Sequence, residues 1–194
     1  MFIAFLGCDG SGKSAVIAGV VERLRAEGMH VSLGHWRPRA FEGENSPQTQ
    51  SITDNPHGKP PRGFFSSLVK LGWLGFHWWA GWWQWLRRRS REGVVLYDRY
   101  HADLMVDPKR YRYGGPVWAA KLASHFMPQP DKVFYLDAEP SVLLSRKQEV
   151  SQDALIKLRT AYTKLAKSHL RFTIIDSSQP LDKVIESVLE KINM

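Results

Sequence analysis

Gly7-Cys8-Asp9-Gly10-Ser11-Gly12-Lys13-Ser14 follows a short apolar run, residues 2–6, and precedes a stretch, 13–27, whose apolar residues recur at helical spacing. Strand, glycine-rich turn and helix together open an α/β nucleotide-binding unit. The octet satisfies Gly-x-x-x-x-Gly-Lys-Ser/Thr at every specified position. Its glycines let backbone N–H groups turn inward around an anion, and the dipole of the following helix adds positive potential there. Lys13 is then placed to reach β- and γ-phosphates, and the Ser14 hydroxyl to coordinate Mg²⁺. Gly7, Asp9, Gly10, Ser11, Gly12, Lys13 and Ser14 therefore form the candidate site for a nucleotide's phosphates and its Mg²⁺. A glycine-rich turn matching by chance is the alternative, and the flanking strand and helix argue against it. The Asn-Lys-x-Asp sequence by which GTPases read their base does not occur in the chain.

Outward from this loop, short apolar runs alternate with amphipathic ones. Strands are predicted at 30–33, 94–97, 133–136 and 172–175, and helices at 116–126, 141–147, 153–169 and 181–192. Alternation of this kind predicts a three-layer, doubly wound parallel sheet of the P-loop type in one domain spanning 1–194. Residues 35–62 are polar and rich in Pro, Gly, Asn and Gln, and read as a long loop that is functional or mobile.

The chain's 194 residues suffice for such a domain, and its 43% apolar and 24% charged content is that of a globular protein. Lys and Arg number 27 against 19 Asp and Glu, a formal charge of +8 that favours anionic partners. Nucleotides, nucleic acid or a membrane surface would answer to that charge, but much of it falls in short clusters that also read as solvated surface, and no nucleic acid is expected. A single cysteine, Cys8, precludes an internal disulfide and fits a reducing, cytoplasmic setting. Residues 1–8 lack the basic start and the long apolar run of a signal peptide, and read as a buried first strand.

The second informative stretch is Val94-Val95-Leu96-Tyr97-Asp98-Arg99-Tyr100, which puts a carboxylate and a guanidinium at the C-terminal end of an apolar strand. Ligands bind at that edge of open α/β sheets. Asp98 there is a candidate for holding Mg²⁺ or its water, and Arg99 for gripping phosphoryl oxygens bidentately. A purely structural ion pair is the other reading.

A phosphate loop of the form Gly-x-Asp-Gly-Ser-Gly-Lys-Ser, followed by an apolar strand ending in Asp-Arg-Tyr, resembles the thymidylate kinase family. Phe134-Tyr135-Leu136-Asp137-Ala138-Glu139-Pro140 with Ser145-Arg146-Lys147 is similar to the family's fourth strand and the start of its lid. Leu158-Arg159-Thr160-Ala161-Tyr162 and Ile174-Ile175-Asp176-Ser177-Ser178 resemble the helix and adenine-side loop that follow. The resemblance implies an ATP-dependent kinase acting on a nucleoside monophosphate, dTMP to dTDP. It implies that Asp9 faces the acceptor sugar, that Arg99 and the neighbouring Tyr100 lie on the acceptor side, and that Arg146 is a lid arginine over the γ-phosphoryl group, in a short lid at about 145–153. Where the family carries an Arg-Glu-Pro-Gly-like segment, this chain reads Gly34-His35-Trp36-Arg37-Pro38-Arg39, with Arg37 as the substitute on the acceptor side. His77-Trp78-Trp79 and His101-Ala102-Asp103-Leu104 also differ from the family pattern. Those differences keep a second reading open, a kinase of a sugar or polysaccharide precursor, and a third, a nucleotide-binding protein without turnover. A phosphate acceptor is already anionic and needs no base, whereas a hydroxyl acceptor would draw on Asp98, Asp9 or Asp103.

Residues 63–92 read as one long or once-broken helix carrying six of the eight tryptophans. Lys70, His77, Gln84 and Arg91 recur every seven residues as a narrow polar stripe, which predicts a helix buried on most sides. Core packing, a dimer interface and a membrane-surface contact beside Arg87–Arg91 are the possible roles. The resemblance implies a homodimer through this helix. The basic, aromatic segment 107–113 reads either as an acceptor-holding loop or as ordinary surface.

Overall fold

The computed structural model describes residues 1–36, 60–147 and 151–193. Arg37, most of the 35–62 segment and the middle of the expected lid thus lie outside the described residues.

All five residues of β1 (Phe2–Leu6) are buried, as a strand covered on both faces must be. Beside it lie β2 (Val31–His35), β3 (Val94–Asp98), β4 (Lys132–Asp137) and β5 (Phe172–Asp176), in the order β2-β3-β1-β4-β5. Every pairing is parallel. Helices α1 (Lys13–Ala26), α6 (Pro140–Arg146), α7 (Gln152–Lys167) and α8 (Leu181–Asn193) belong with this sheet. One core joins Val16, Val20 and Leu24 of α1 to Phe5, Leu96 and Phe134 of the sheet and to Val184 and Val188 of α8. The expected parallel, doubly wound α/β architecture is present, and strand ends differ from expectation by one or two residues. With β1 central and β3 next to it, the loop after β1 and the end of β3 emerge side by side.

This sheet and its helices form one compact unit, Met1–Trp36, Arg89–Tyr100 and Pro130–Met194. A second comprises Arg37–Arg88 and His101–Gln129. Within the second unit α2 (Phe64–Gly81) runs into a π-helical turn, Trp82–Leu86, and α3 (Arg87–Glu92) crosses the division. Two further helices are α4 (Asp103–Val106), too short to be read from periodicity, and α5 (Val117–Phe126).

The expectation that the tryptophan-rich helix is buried on most sides does not hold. Ser67, Leu71, Leu74, Trp78 and Gly81 form a buried stripe. Phe65, Val69, Trp73, Phe76, Trp79 and Trp83 are exposed, Phe65 to 80%. On α5, Trp118, Leu122 and Phe126, one turn apart, are exposed as well. Side chains every three or four residues share a face, so each helix turns an apolar stripe outward. The π turn adds a residue to its turn, so the sevenfold spacing of Lys70, His77, Gln84 and Arg91 does not keep them in line.

Segment 107–113 is tied down by hydrogen bonds. Arg110 N–H donates to Asp107 Oδ1, Tyr111 Oη donates to Asp103 Oδ2 at 2.7 Å, and Lys70 Nζ reaches the Tyr111 carbonyl. Arg62 N–H donates to the Arg112 carbonyl, and Gly114 N–H to Ser67 Oγ. These bonds sew the loop to the first turn of α2. Asp103, a candidate base for a hydroxyl acceptor, is fully buried and accepts a hydrogen bond from Tyr111 Oη.

His101, also in this unit, is 1% exposed. Burial pushes its imidazole pKa down to about 3, and nearby His125 acts in the same direction. The unfolded chain takes up this proton near pH 6.5, the folded chain only near 3. Its contribution is therefore complete above pH 6.5 and is lost as pH falls toward 3. We expect urea unfolding to show stability falling by about 1 kcal/mol per pH unit below pH 6. His101→Gln should flatten that slope between pH 6.5 and 4.5, whatever its effect at pH 7.

Candidate active site

The loop after β1 is shaped by glycine. Gly10 has φ +84°, and a Cβ there would lie 2.6 Å from the Leu143 carbonyl oxygen of α6. A side chain at that position is excluded twice, by backbone conformation and by space. Gly12, at φ +79°, leads into α1, whose first turn contains no acidic residue. The positive end of the helix therefore stays uncompensated and suits an anion. Lys13 is 7% exposed, and its Nζ donates to the Gly7 carbonyl at 2.9 Å, the Cys8 carbonyl at 3.0 Å and Ser11 Oγ at 3.4 Å. Ser14, one residue on in the first turn of α1, is exposed.

Asp98 closes β3, paired with Phe5 of β1 on one side and His35 of β2 on the other. Its Oδ1 is buried and has no hydrogen-bond partner among the described residues. A buried carboxylate oxygen normally has one, since desolvation without a partner is costly. That oxygen fits a hard cation or its water. Among the described residues no three His, Cys, Asp or Glu side chains cluster to form a metal cage. Mg²⁺ needs none, because it is usually held by one or two protein oxygens plus phosphates and water. The hydroxyl of Ser14 and the carboxylate of Asp98 are such a donor set.

Arg99 leaves the strand in the left-handed region, at φ +68°. Its N–H donates to the Phe5 carbonyl at 2.9 Å, and its Nη2 donates to Asp9 Oδ1 at 2.7 Å. Asp9, Lys13, Asp98 and Arg99 are thus gathered at the ends of two neighbouring strands. Tyr100 is buried and meets the Phe2 ring edge-on, with centroids 6.1 Å apart, and burial raises its hydroxyl pKa. Arg146, at the end of α6, donates from Nη1 to the Ser177 carbonyl at 3.0 Å. Ser177 in turn donates to the Asp137 carbonyl from both N–H and Oγ, joining the loop after β5 to the end of β4.

Arg159 of α7 donates to Asp137 from Nε at 2.8 Å and from Nη2 at 3.1 Å, and to Glu139 from Nη2 at 2.9 Å. Hydrogen bonds to Asp137 raise its pKa further, and Tyr135 Oη donates to the same carboxylate. The fork ties α7 to the end of β4. A groove of about 590 Å³ lies beside it, lined by Thr160, Thr163, Lys164, Lys167 and Ser168 as well as the pair itself. Asp137, Glu139 and Arg159 all stand in stretches that carry the family resemblance, and nothing in the sequence pairs them.

Comparison with known proteins bears on the same residues. The family model described as thymidylate kinase matches residues 85–188, which include Asp98, Arg99, Arg146 and Arg159. The thymidylate kinase of Ligilactobacillus salivarius is 30% identical, over 99% of this chain and 97% of its own length. That of Coprothermobacter proteolyticus is 30% identical over the full length of both. That of Thermosipho africanus is 27% identical over 98% of each. A match that covers half the chain, with relatives aligned nearly end to end, places this chain in the thymidylate kinase family, and it is a kinase.

Proposed function

We propose that the protein transfers the γ-phosphoryl group of Mg-ATP to dTMP, giving dTDP and ADP. The observation that carries this reading is the sheet order, which sets the phosphate loop after β1 beside Asp98 and Arg99 at the end of β3. Its relatives named thymidylate kinase align across the whole chain. Backbone N–H groups of residues 7–14 and the Lys13 ammonium hold the β- and γ-phosphates. Mg²⁺, when bound through Ser14 and Asp98, supplies charge neutralisation at the transferring phosphoryl group. Arg99 orients the acceptor phosphate, with Asp9, Arg37 and Tyr100 on the acceptor side, and Arg146 covers the γ-phosphoryl oxygens. The acceptor oxygen is already anionic, so positioning and charge carry the reaction without a general base.

An ADP-release assay across nucleoside monophosphates, nucleosides and sugar phosphates tests the proposal. We expect dTMP to outpace every other acceptor. Asp98→Asn should lower kcat on the order of 10²-fold and raise the Mg²⁺ concentration needed for half activity. A sugar acceptor turning over faster would replace dTMP, and tight ATP binding with no ADP release would point to a nucleotide-binding protein.

The apolar stripes on α2 and α5 support pairing of two copies through this surface, since exposed patches of large aromatics mark interaction faces. No helix among the described residues is long and apolar enough to cross a membrane. Light scattering after gel filtration should give a dimer, and Val69→Asp with Phe76→Asp a folded monomer. Flotation with anionic liposomes at low salt would instead assign the face to a membrane surface.

A further inference from the structure

We infer that Arg159 is a positioning residue on the donor side: by clamping Asp137 and Glu139 together it fixes the root of α6, and with it the direction of the Arg146 guanidinium. This rests on the reading of Arg146 as the arginine over the γ-phosphoryl oxygens, and goes further by giving a residue of α7 a part in the transfer.

The guanidinium uses its whole fork. Nε and Nη2 donate to the two oxygens of Asp137, and Nη1 and Nη2 to the two oxygens of Glu139, at 2.8–3.2 Å. Both carboxylates are gripped through both oxygens, which a planar guanidinium can do and an ammonium cannot. The Arg159 and Asp137 side chains are 27% and 19% exposed, so their attraction is screened less than that of an open surface pair. Tyr135 Oη donates to the same Asp137, and its ring stacks on Tyr162 of α7. Without the guanidinium, two carboxylates two residues apart would repel one another.

What Glu139 leaves undone is the second observation. It stands at the N-cap of α6, yet its side chain caps no backbone N–H of that helix. A carboxylate at a helix N-terminus ordinarily serves the open N–H groups there. Here Arg159 takes it instead. Only the Glu139 carbonyl serves the helix, accepting from the Val142 and Leu143 N–H groups at 3.0 Å each. A helix of seven residues is too short to hold itself together, so its start is held from outside.

Third, the bonds close into a ring. From Glu139 the chain runs through α6 to Arg146, whose Nη1 donates to the Ser177 carbonyl. Ser177 N–H and Oγ both donate to the Asp137 carbonyl, and the Asp137 carboxylate returns to Arg159. Arg146 thus rests on a neutral carbonyl, a partner that an anionic phosphoryl oxygen outcompetes. Its aim is set by the helix that carries it. That helix cannot shift toward the candidate phosphate loop, because the Leu143 carbonyl faces Gly10 too closely for a Cβ to fit between them. The movement open to α6 is a swing at its root, where the clamp sits. Misplacement of a positioned group by about 1 Å is costly to in-line transfer.

A double-mutant cycle on kcat, at saturating ATP and dTMP, tests this. Arg146→Ala and Arg159→Met should each lower kcat about 30-fold. Methionine keeps the packing of the arginine stem, and a thermal melt checks that the variant is folded. The double variant should fall within about twofold of Arg146→Ala alone, because Arg159 has nothing left to aim. The KM for dTMP should change less than about threefold throughout, a split that general damage to the fold would not produce. Arg159→Lys keeps the charge without the fork and should still lose about 10-fold; it carries the cycle if the methionine variant melts early. Multiplying losses, on the order of 10³-fold in the double variant, would overturn the inference and make Arg159 a general support of the fold. Full kcat in Arg159→Lys would overturn it too, since charge alone would then suffice. An Arg146→Ala enzyme with unchanged kinetics would overturn the reading of Arg146, and the inference with it. Should another acceptor outpace dTMP, the cycle is run with that acceptor and the same outcomes decide. ADP release from no acceptor at all overturns both.

Discussion

Lys13→Ala lowers the rate of phosphoryl transfer on the order of 10²- to 10³-fold while leaving the protein folded; that is the expected outcome of the most direct test of the site. The lysine is 7% exposed, and its Nζ donates to two backbone carbonyls and to Ser11 Oγ of the candidate phosphate loop. Those bonds hold the ammonium inside the turn that the glycines create. A cation in a site of low dielectric stabilises developing charge far more than one in water. Alanine removes both the charge and the three bonds, so ATP affinity weakens along with kcat. Steady-state ADP release measures the rate, calorimetric titration with a non-hydrolysable ATP analogue measures the binding, and a thermal melt checks the fold. A variant that retains transfer within threefold of the parent would show that the γ-phosphoryl group is held elsewhere, and the proposed site would fall with it.

The second large effect is on stability. Gly93 precedes β3, and a Cβ built on it would lie 2.1 Å from the His30 carbonyl oxygen and 2.9 Å from His30 Cβ. That carbonyl cannot step aside freely, because it accepts the Val94 N–H at 2.8 Å where β2 and β3 begin to pair. The Gly93 carbonyl is itself bound by the Met1 amino group at 2.6 Å, which anchors the start of β1 to the same point. A methyl group here collides with backbone, not with a side chain able to rotate away. Overpacking of this kind costs about 3 kcal/mol, near the top of the usual range. For a chain of this size that corresponds to a fall in Tm of about 6–12 °C. Differential scanning calorimetry of Gly93→Ala reads it directly. A shift under about 2 °C would mean that the β2–β3 start yields without cost. Since β3 ends at Asp98, loosening its start also predicts a lower kcat at temperatures where the variant is still folded.

How much of this was legible before folding depends on the distance along the chain over which each feature is encoded. Residues 7–14 sit between an apolar strand and an amphipathic helix, and their eight positions carry the whole candidate phosphate-binding pattern, so it is legible locally. Asp98 and Arg99 were legible for the same reason, as a charged pair at the end of four apolar residues. The stripes on α2 misled, because periodicity says which residues share a face and not which face is covered. Phe65 and Phe76 have the same hydropathy whether they meet a core or open space, and the π turn that breaks the sevenfold register leaves no mark in residue type.

Contiguous residues determined the strand–loop–helix opening, the parallel α/β class and the candidate phosphate-binding groups, because each depends on side-chain periodicity or backbone freedom within about ten positions. The Asp9–Arg99 pair, 90 positions apart, and the Arg159 fork, 22 positions from Asp137, came only with the folded chain. Their partners are chosen by which strands lie side by side, and the β2-β3-β1-β4-β5 order is set by burial across the whole sheet, not by any one segment.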